Sequence, residues 1–342
     1  IEGARTNLCL QSQTFDNAAW TKDNGATVAD QTAAPDGTTT ADTFVPTVIS
    51  GQHRFIASNV TVTSAATYVM SYYIKPNGYT KVAIREGVGS GAYAAFSLSG
   101  AGSVLDAGTG TGSVEALANG WYRITLVSAA SGTTFRGDLW VLDPSYTTGV
   151  VIGSWTANGT SGIYAWGAQL ELGAFPSSYA PTTTASATRA ADVLTVPVSG
   201  LDYPLSIYAE FERAVDTAST EALVYLYVNG NNYSRLSVAS TDAGQMNVGS
   251  GGVTQANLLS AATISVGTVS RLAGRIASND AIVALNGVLT SADASVTVPV
   301  GTMGLYFGAD GVGATPCFGY LRRAAIWPRA LTDAELTAVT GG

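Results

Sequence analysis

Charge is what this sequence has least of. Asp, Glu, Lys and Arg make up 12% of its 342 residues, half the usual share, so its polar surface must come from Ser, Thr, Asn and Gly. With 46% apolar residues there is enough for two cores of ordinary size, and a disordered polyelectrolyte is excluded. No block of like charge occurs, the basic residues are scattered, and the net charge is −8, which speaks against nucleic acid or anionic membrane as the main partner. Histidine occurs once, at His53, which removes Ser–His triads and leaves too few ligands for zinc. The two cysteines, Cys9 and Cys317, stand at opposite ends of the chain and read as buried thiols, not as a disulfide framework. No apolar run approaches the ~20 residues that a spanning helix needs, so no membrane insertion is expected, and no signal peptide is legible. Residue 1 is Ile, which reads as a processed or trimmed end.

Helical periodicity is missing too, with one exception. What recurs is the short alternating or apolar run closed by Gly, Asn, Asp or Pro. TYVMSYYIKP, KVAIREG, AYAAFSLSG, WYRITLVSA and DLWVLD lie in the first half; LSIYAEFER, ALVYLYVNG, YSRLSVAS, IVALNGV and MGLYFGAD follow in the second. Strands at this spacing, with turn chemistry between them, predict an all-β chain of two antiparallel β-sandwiches. The exception is ALTDAELTAV, residues 330–339, a short C-terminal helix in which Thr332 and Glu335 have the spacing of a capping box. Residues 180–199 are rich in Thr, Ala and Ser, hold Pro181 and Pro197, and predict a linker between domains at 1–190 and 191–342.

Four stretches, in order, carry a resemblance: PDGTTTAD (35–42), TYVMSYYIKPNG (67–78), NGWYRITLV (119–127) and SGIYAWGAQLELGAFPSSYAPTTTASATRAAD (161–192). They resemble the recurrent domain of bacteriophage and prophage appendage proteins, such as tail fibres and spikes, which implies a jelly roll similar to carbohydrate-binding modules. The second half, with VYLYVNGNN, VALNG, GLYFGAD and AAIWPRALTDAELTAV, resembles the concanavalin A-like, laminin-G-like lectin sandwich. Together these imply a non-catalytic adhesion protein on the surface of a virion or phage-like particle. Its partner would be bacterial capsule or cell-surface polysaccharide. A structural appendage or decoration protein that binds other virion proteins is the second reading, a polysaccharide-degrading hydrolase the third, and homo-oligomers stay open.

Trp121 and Trp166 have flat faces suited to a sugar ring, but both sit in motifs that define the fold, so a core role is expected. Gln169 and Glu171 share a strand face and are expected to hydrogen-bond the chain as it leaves the sandwich. Glycan candidates come from freer stretches that combine aromatic platforms with planar or charged polar groups. These are His53 and Arg54; Arg85, Glu86 and Tyr93 around the turn GVGSG; and Trp140, Asp143 and Tyr146, with Trp155 nearby. In the second half they are Asn231, Asn232 and Tyr233 at a hairpin, with Tyr225 and Tyr227 on the preceding strand expected in the core.

Glu210 and Glu212 share a strand face at ~6.6 Å, within reach of glycosidase geometry, but Arg213 and a solvated face explain the pair more simply. The loops GTGTGS, GVGSG and GADGVG lack the Lys-Ser/Thr end or following helix of a phosphate cradle. No cofactor is called for; Asp36 and Asp310 are the positions where a structural Ca²⁺ would sit.

Overall fold

A computed structural model describes residues 2–149, 153–198, 200–214, 216–310 and 315–342. The chain divides into two compact units. One is Arg5–Arg189; the other comprises residues 1–4 and 190–342.

In the N-terminal unit the alternating runs become β1 (Arg5–Asn7), β2 (Thr21–Asp23), β3 (Gly25–Thr32), β4 (Ala41–Pro46) and β5 (His53–Ile56). Then come β6 (Thr67–Asn77), β7 (Lys81–Glu86), β8 (Tyr93–Ser97), β9 (Ser103–Ala107) and β10 (Thr111–Ala116). β11 (Tyr122–Ala129), β12 (Gly137–Val141), β13 (Gly162–Leu172) and β14 (Ala187–Arg189) complete it. Two six-stranded antiparallel sheets result, in the orders β9-β8-β7-β12-β5-β2 and β10-β11-β6-β13-β4-β3. Alternation decides what lies between them: Tyr68, Met70, Tyr72 and Ile74 of β6 meet Val82 and Ile84 of β7 and Leu139 and Val141 of β12. Phe15, Trp20, Phe44 and Phe55 fill the middle, with ring centroids 4.5 to 6.2 Å apart. Burying each such ring contributes about 1.5–3 kcal/mol.

The outer face of β13 is covered by its own continuation. Gly167, at φ 64°, sits in a bulge between Trp166 and Gln169, which puts both of these and Glu171 on that face. A Cβ on Gly167 would lie 2.7 Å from the Tyr73 ring, so only glycine fits. The chain from Pro176 folds back over these side chains. Glu171 accepts from the Ser177 N–H (2.9 Å) and the Ser177 hydroxyl, and Gln169 Oε1 accepts from the Ala180 N–H (2.7 Å). Trp121 and Trp166 are buried and donate to Ala33 O (3.1 Å) and Thr40 Oγ1 (3.0 Å), which is the core role expected of them. Residues 180–189 are therefore not free linker. The Ser12 N–H donates to Thr182 O (3.2 Å), the Thr182 N–H donates to the Ser12 hydroxyl (2.8 Å), and β14 pairs with β1.

The C-terminal unit contains β15 (Leu194–Val196), β16 (Leu205–Arg213), β17 (Glu221–Asn229), β18 (Asn232–Val238), β19 (Ala243–Ser250) and β20 (Val253–Thr263). β21 (Val269–Ala277), β22 (Asp280–Leu285), β23 (Val288–Leu289), β24 (Gly304–Phe307), β25 (Gly319–Trp327) and α1 (Asp333–Gly341) follow. A six-stranded sheet, β15-β24-β17-β18-β19-β20, packs on a five-stranded one, β23-β22-β21-β16-β25, around Ile207, Phe211, Val224, Leu226, Leu236, Met246 and Leu272. α1 begins at the expected capping box, with Thr332 and Glu335 bonding each other's backbone N–H, and seats Leu336 beside Tyr208 and Ile282. Residues 2–4 join this unit: Glu2 and Asp192 exchange hydrogen bonds of 2.9 Å. The fold is all-β, with one α-helix among the described residues. Cys9 and Cys317 are buried thiols that form no disulfide, and burial pushes both up to about 12.

Candidate functional site

The first-half candidates fall on the sheet β9-β8-β7-β12-β5-β2. Asp106, Ala95, Ala83, Trp140, Arg54 and Asp23 stand opposite one another in a row across all six strands. Beside them run Tyr93, Arg85 and Asp138. The structure thus brings Arg54, Arg85, Tyr93 and Trp140 to one outer face, where Tyr146 packs as well. That face is filled by its own side chains. Trp140 is 1% exposed, with the Arg54 guanidinium 4.5 Å above its ring, and Tyr93, Leu105 and Tyr146 pack around it, Ala83 and Ala95. Asp106 accepts from Tyr93 (3.0 Å), Thr148 (3.2 Å) and the Gly149 N–H (2.6 Å), which ties residues 146–149 down; these bonds, the Gly149 one foremost, hold its carboxyl below the usual range. Asp143 accepts from the Ser145 N–H and hydroxyl and closes its own turn.

Three of the expected glycan contacts are corrected by burial. His53 is 0% exposed: Nδ1 lies 2.7 Å from Asn24 O, Nε2 3.1 Å from Trp155 O, and the Trp155 ring meets it edge-on. Glu86, 1% exposed, accepts from Val88 N, Ser90 Oγ and Gly91 N and so shapes the GVGSG turn. Trp140 is the third, a floor residue that a ligand does not reach.

In the C-terminal unit a different array is assembled. On the outer face of the six-stranded sheet, Thr195, Tyr306, Tyr225, Arg235, Asn247 and Asn257 form one row across six strands. The adjacent row is Gly304, Tyr227, Tyr233, Gly249 and Thr254. The two glycines are what let rings lie down on the sheet. A Cβ on Gly249 would come 2.6 Å from the Tyr233 ring, and one on Gly304 2.9 Å from the Tyr306 ring. Tyr225 and Tyr227 stack at 5.5 Å, with Tyr233 5.7 Å from Tyr225 and Tyr306 6.2 Å from Tyr227. Beside the rings runs a polar ladder. Arg235 Nε donates to Asn247 Oδ1 (3.0 Å), Asn247 Nδ2 and Gln245 Nε2 both donate to Asn257 Oδ1 (2.9 and 2.8 Å), and Ser237 Oγ donates to Gln245 Oε1 (3.0 Å). Tyr227, Tyr233, Arg235 and Tyr306 are half-buried and Asn257 is exposed, while Tyr225, Asn247 and Gln245 are buried.

Of the hairpin candidates, Tyr233 belongs to this array. The amides of its neighbours close the turn instead: Asn229 Oδ1 accepts from the Asn231 N–H and from Asn232 Nδ2, and Asn232 Oδ1 accepts from the Gly251 N–H. Val224 and Leu226 take the inner positions of β17, so Tyr225 and Tyr227, expected in the core, lie on the outer face, where Tyr225 is still buried and Tyr227 half-buried. Asn247, Gln245, Asn257 and Tyr306 were not singled out from the sequence.

Glu210 and Glu212 sit on the outer face of the other sheet. Glu210 accepts from Arg271 Nε (3.0 Å) and the Tyr208 hydroxyl (3.2 Å), and the Arg271 bond holds its carboxyl below the usual range. Glu212 pairs with Arg322. Arg213 is elsewhere, buried against Glu221 (2.9 Å) and Asp242 (2.7 Å). Asp36 holds the Thr38 N–H and hydroxyl, and among the described residues no three acidic, His or Cys side chains converge on a metal position. Residues 311–313 of the GADGVG loop lie outside the described residues.

Residues 186–337 match the family model of the concanavalin A-like lectin/glucanases superfamily. No curated protein matches the chain. Among solved structures, the CBM40 of Ruminococcus gnavus IT-sialidase bound to α2,3-sialyllactose is 18% identical over 40% of this chain and 83% of its own, at a TM-score of 0.36. The heptameric SAP-like pentraxin of Limulus polyphemus is 13% identical over 43% of this chain and 80% of its own, at 0.33. Domains LG4–5 of the mouse laminin α1 chain are 12% identical over 97% of this chain and 92% of their own, at 0.28. None is similar enough to place a ligand.

Proposed function

We propose that this chain is a non-catalytic glycan-binding protein whose binding surface is the tyrosine and amide face of the six-stranded sheet in the C-terminal unit. One observation carries the reading: four tyrosines and an Arg–Asn–Asn–Gln ladder share one sheet face, with rings laid down over glycines. Such rings stack on the C–H faces of a sugar, while fixed amides and a guanidinium meet its hydroxyls. The lectin character of the matching family supports it. A shallow face of this kind holds a single chain with Kd ~10⁻³ to 10⁻⁵ M and gains strength from several copies. We further propose a bacterial capsule or surface polysaccharide as the ligand and the surface of a phage or phage-like particle as the location. The order of the four appendage-type motifs in the first half supports both. The non-catalytic part rests on Glu210 and Glu212, which are each held by an arginine.

Two measurements test this. Tyr233→Ala and Tyr306→Ala are each expected to weaken binding to encapsulated cells about tenfold. The melting temperature should move little, and unchanged binding in both variants overturns the assignment of the face. Replacing Glu210 and Glu212 with Gln should leave reducing-end release from purified capsule at background; activity in the parent that disappears in this variant overturns the non-catalytic reading.

A further inference from the structure

We infer that the tyrosine and amide face selects acidic polysaccharide, with a sugar carboxylate seated on the guanidinium of Arg235. This rests on the glycan-binding reading and adds the charge class of the ligand. The direction of the ladder carries it. Asn247 Oδ1 is taken by Arg235, Asn257 Oδ1 by both Asn247 and Gln245, and Gln245 Oε1 by Ser237. Each amide oxygen of the ladder thus already accepts a bond within it, and Asn257 Oδ1 accepts two. The N–H groups left to a ligand are the two Nη groups of half-buried Arg235 and the Nδ2 of exposed Asn257, beside the tyrosine hydroxyls; Asn247 and Gln245 are buried beneath them. A neutral sugar finds acceptors in the tyrosine hydroxyls, but the guanidinium, which only donates, gains most from an ionised acceptor. A carboxylate only accepts, four times over.

Charge points the same way. No Asp or Glu stands in either row of the face; the acidic group that acts on it is Asp310, whose charge reaches Tyr225. Elsewhere in this unit Arg213, Arg271, Arg275, Arg322 and Arg329 each have a carboxylate partner, whereas Arg235 is held by a neutral amide. That bond uses Nε and fixes the guanidinium plane, which leaves the Nη groups for charge-assisted bonds to an incoming carboxylate. The Tyr233 ring, 6.0 Å from the Arg235 guanidinium, is placed to stack on the same sugar.

The test uses the full chain and three polymers: hyaluronan, polygalacturonate and polysialic acid, each beside its carboxyl-reduced, neutral form. At least one acidic polymer is expected to bind about tenfold or more tighter than its reduced form, and less tightly as NaCl rises through about 0.15 M. R235Q should bring the acidic polymer down to the level of the reduced one, while R235K keeps part of the difference. If acidic and reduced forms bind alike and Y233A weakens both, acid selection is wrong and the glycan face stands. If none of the six polymers binds, the glycan reading falls with it. Should R235Q fold poorly, the ratio measured with the parent chain decides.

Discussion

Arg213 shows how much can hang on one side chain. It is 1% exposed, and Glu221 beside it is fully buried, so replacing Arg213 with Met leaves a carboxylate with no counter-charge in the interior. A loss of about 3–5 kcal/mol is expected by urea unfolding, confined to the transition of the C-terminal unit. Glu171→Ala belongs to the other unit. It strips Ser177 and Gln169 of their partner and should lower the stability of the N-terminal unit by about 1–3 kcal/mol. Glu171 and Gln169 were legible as structural because they stand two apart in a strand that ends where the chain must turn back. His53, read as a glycan candidate, carried the opposite signal in Phe55, an apolar residue two positions on that has to share its face. Trp140 carried no such signal. In GDLWV every position is buried, so alternation gives no parity to read. The donor ladder was hidden for another reason: Arg235, Asn247 and Asn257 come from three strands, and only register aligns them.

Elements differ in the same way. The helix could be placed from a Thr and a Glu three residues apart, because a capping box is a local device. That device is also its pH dependence. The Arg329 bond, with those from Thr332, holds the Glu335 carboxyl down to about 2. A carboxylate whose folded pKa is depressed adds stability above its unfolded value of about 4.3, and that stability is lost as pH falls from there toward 2. The chemical shifts of residues 333–339 should therefore move toward coil between about pH 6 and pH 2.5, and E335Q should show a smaller change across the same window. Bulges are the opposite case. Nothing local announces that Gly167 interrupts β13, because its reason is the Tyr73 ring on a neighbouring strand. Gly249 has the same kind of reason, and Gly249→Val tests it. The added side chain should lift Tyr233 off the sheet and weaken polysaccharide binding as much as Tyr233→Ala does.

At the level of the whole molecule, strand runs and turn residues were enough to read two sandwiches, while the path of the chain between them was not. Composition marked 180–199 as polar and small, and it could not show that Thr182 and residues 187–189 are bonded to the beginning of the chain. Residues 2–4 lie with the C-terminal unit, so the chain passes from that unit into the N-terminal one at Arg5 and returns at Arg189. Those two residues face each other in an antiparallel pair, which sets their Cα atoms about 4.5–5.5 Å apart. A variant with 5–189 removed and Ala4 joined to Ala190 through a two-residue turn is expected to fold, by circular dichroism, and to keep the polysaccharide affinity of the full chain. In the terms of inheritance, this geometry makes 5–189 a cassette. Its ends are already side by side, so a recombination event can exchange it whole without cutting through the core of the unit that receives it.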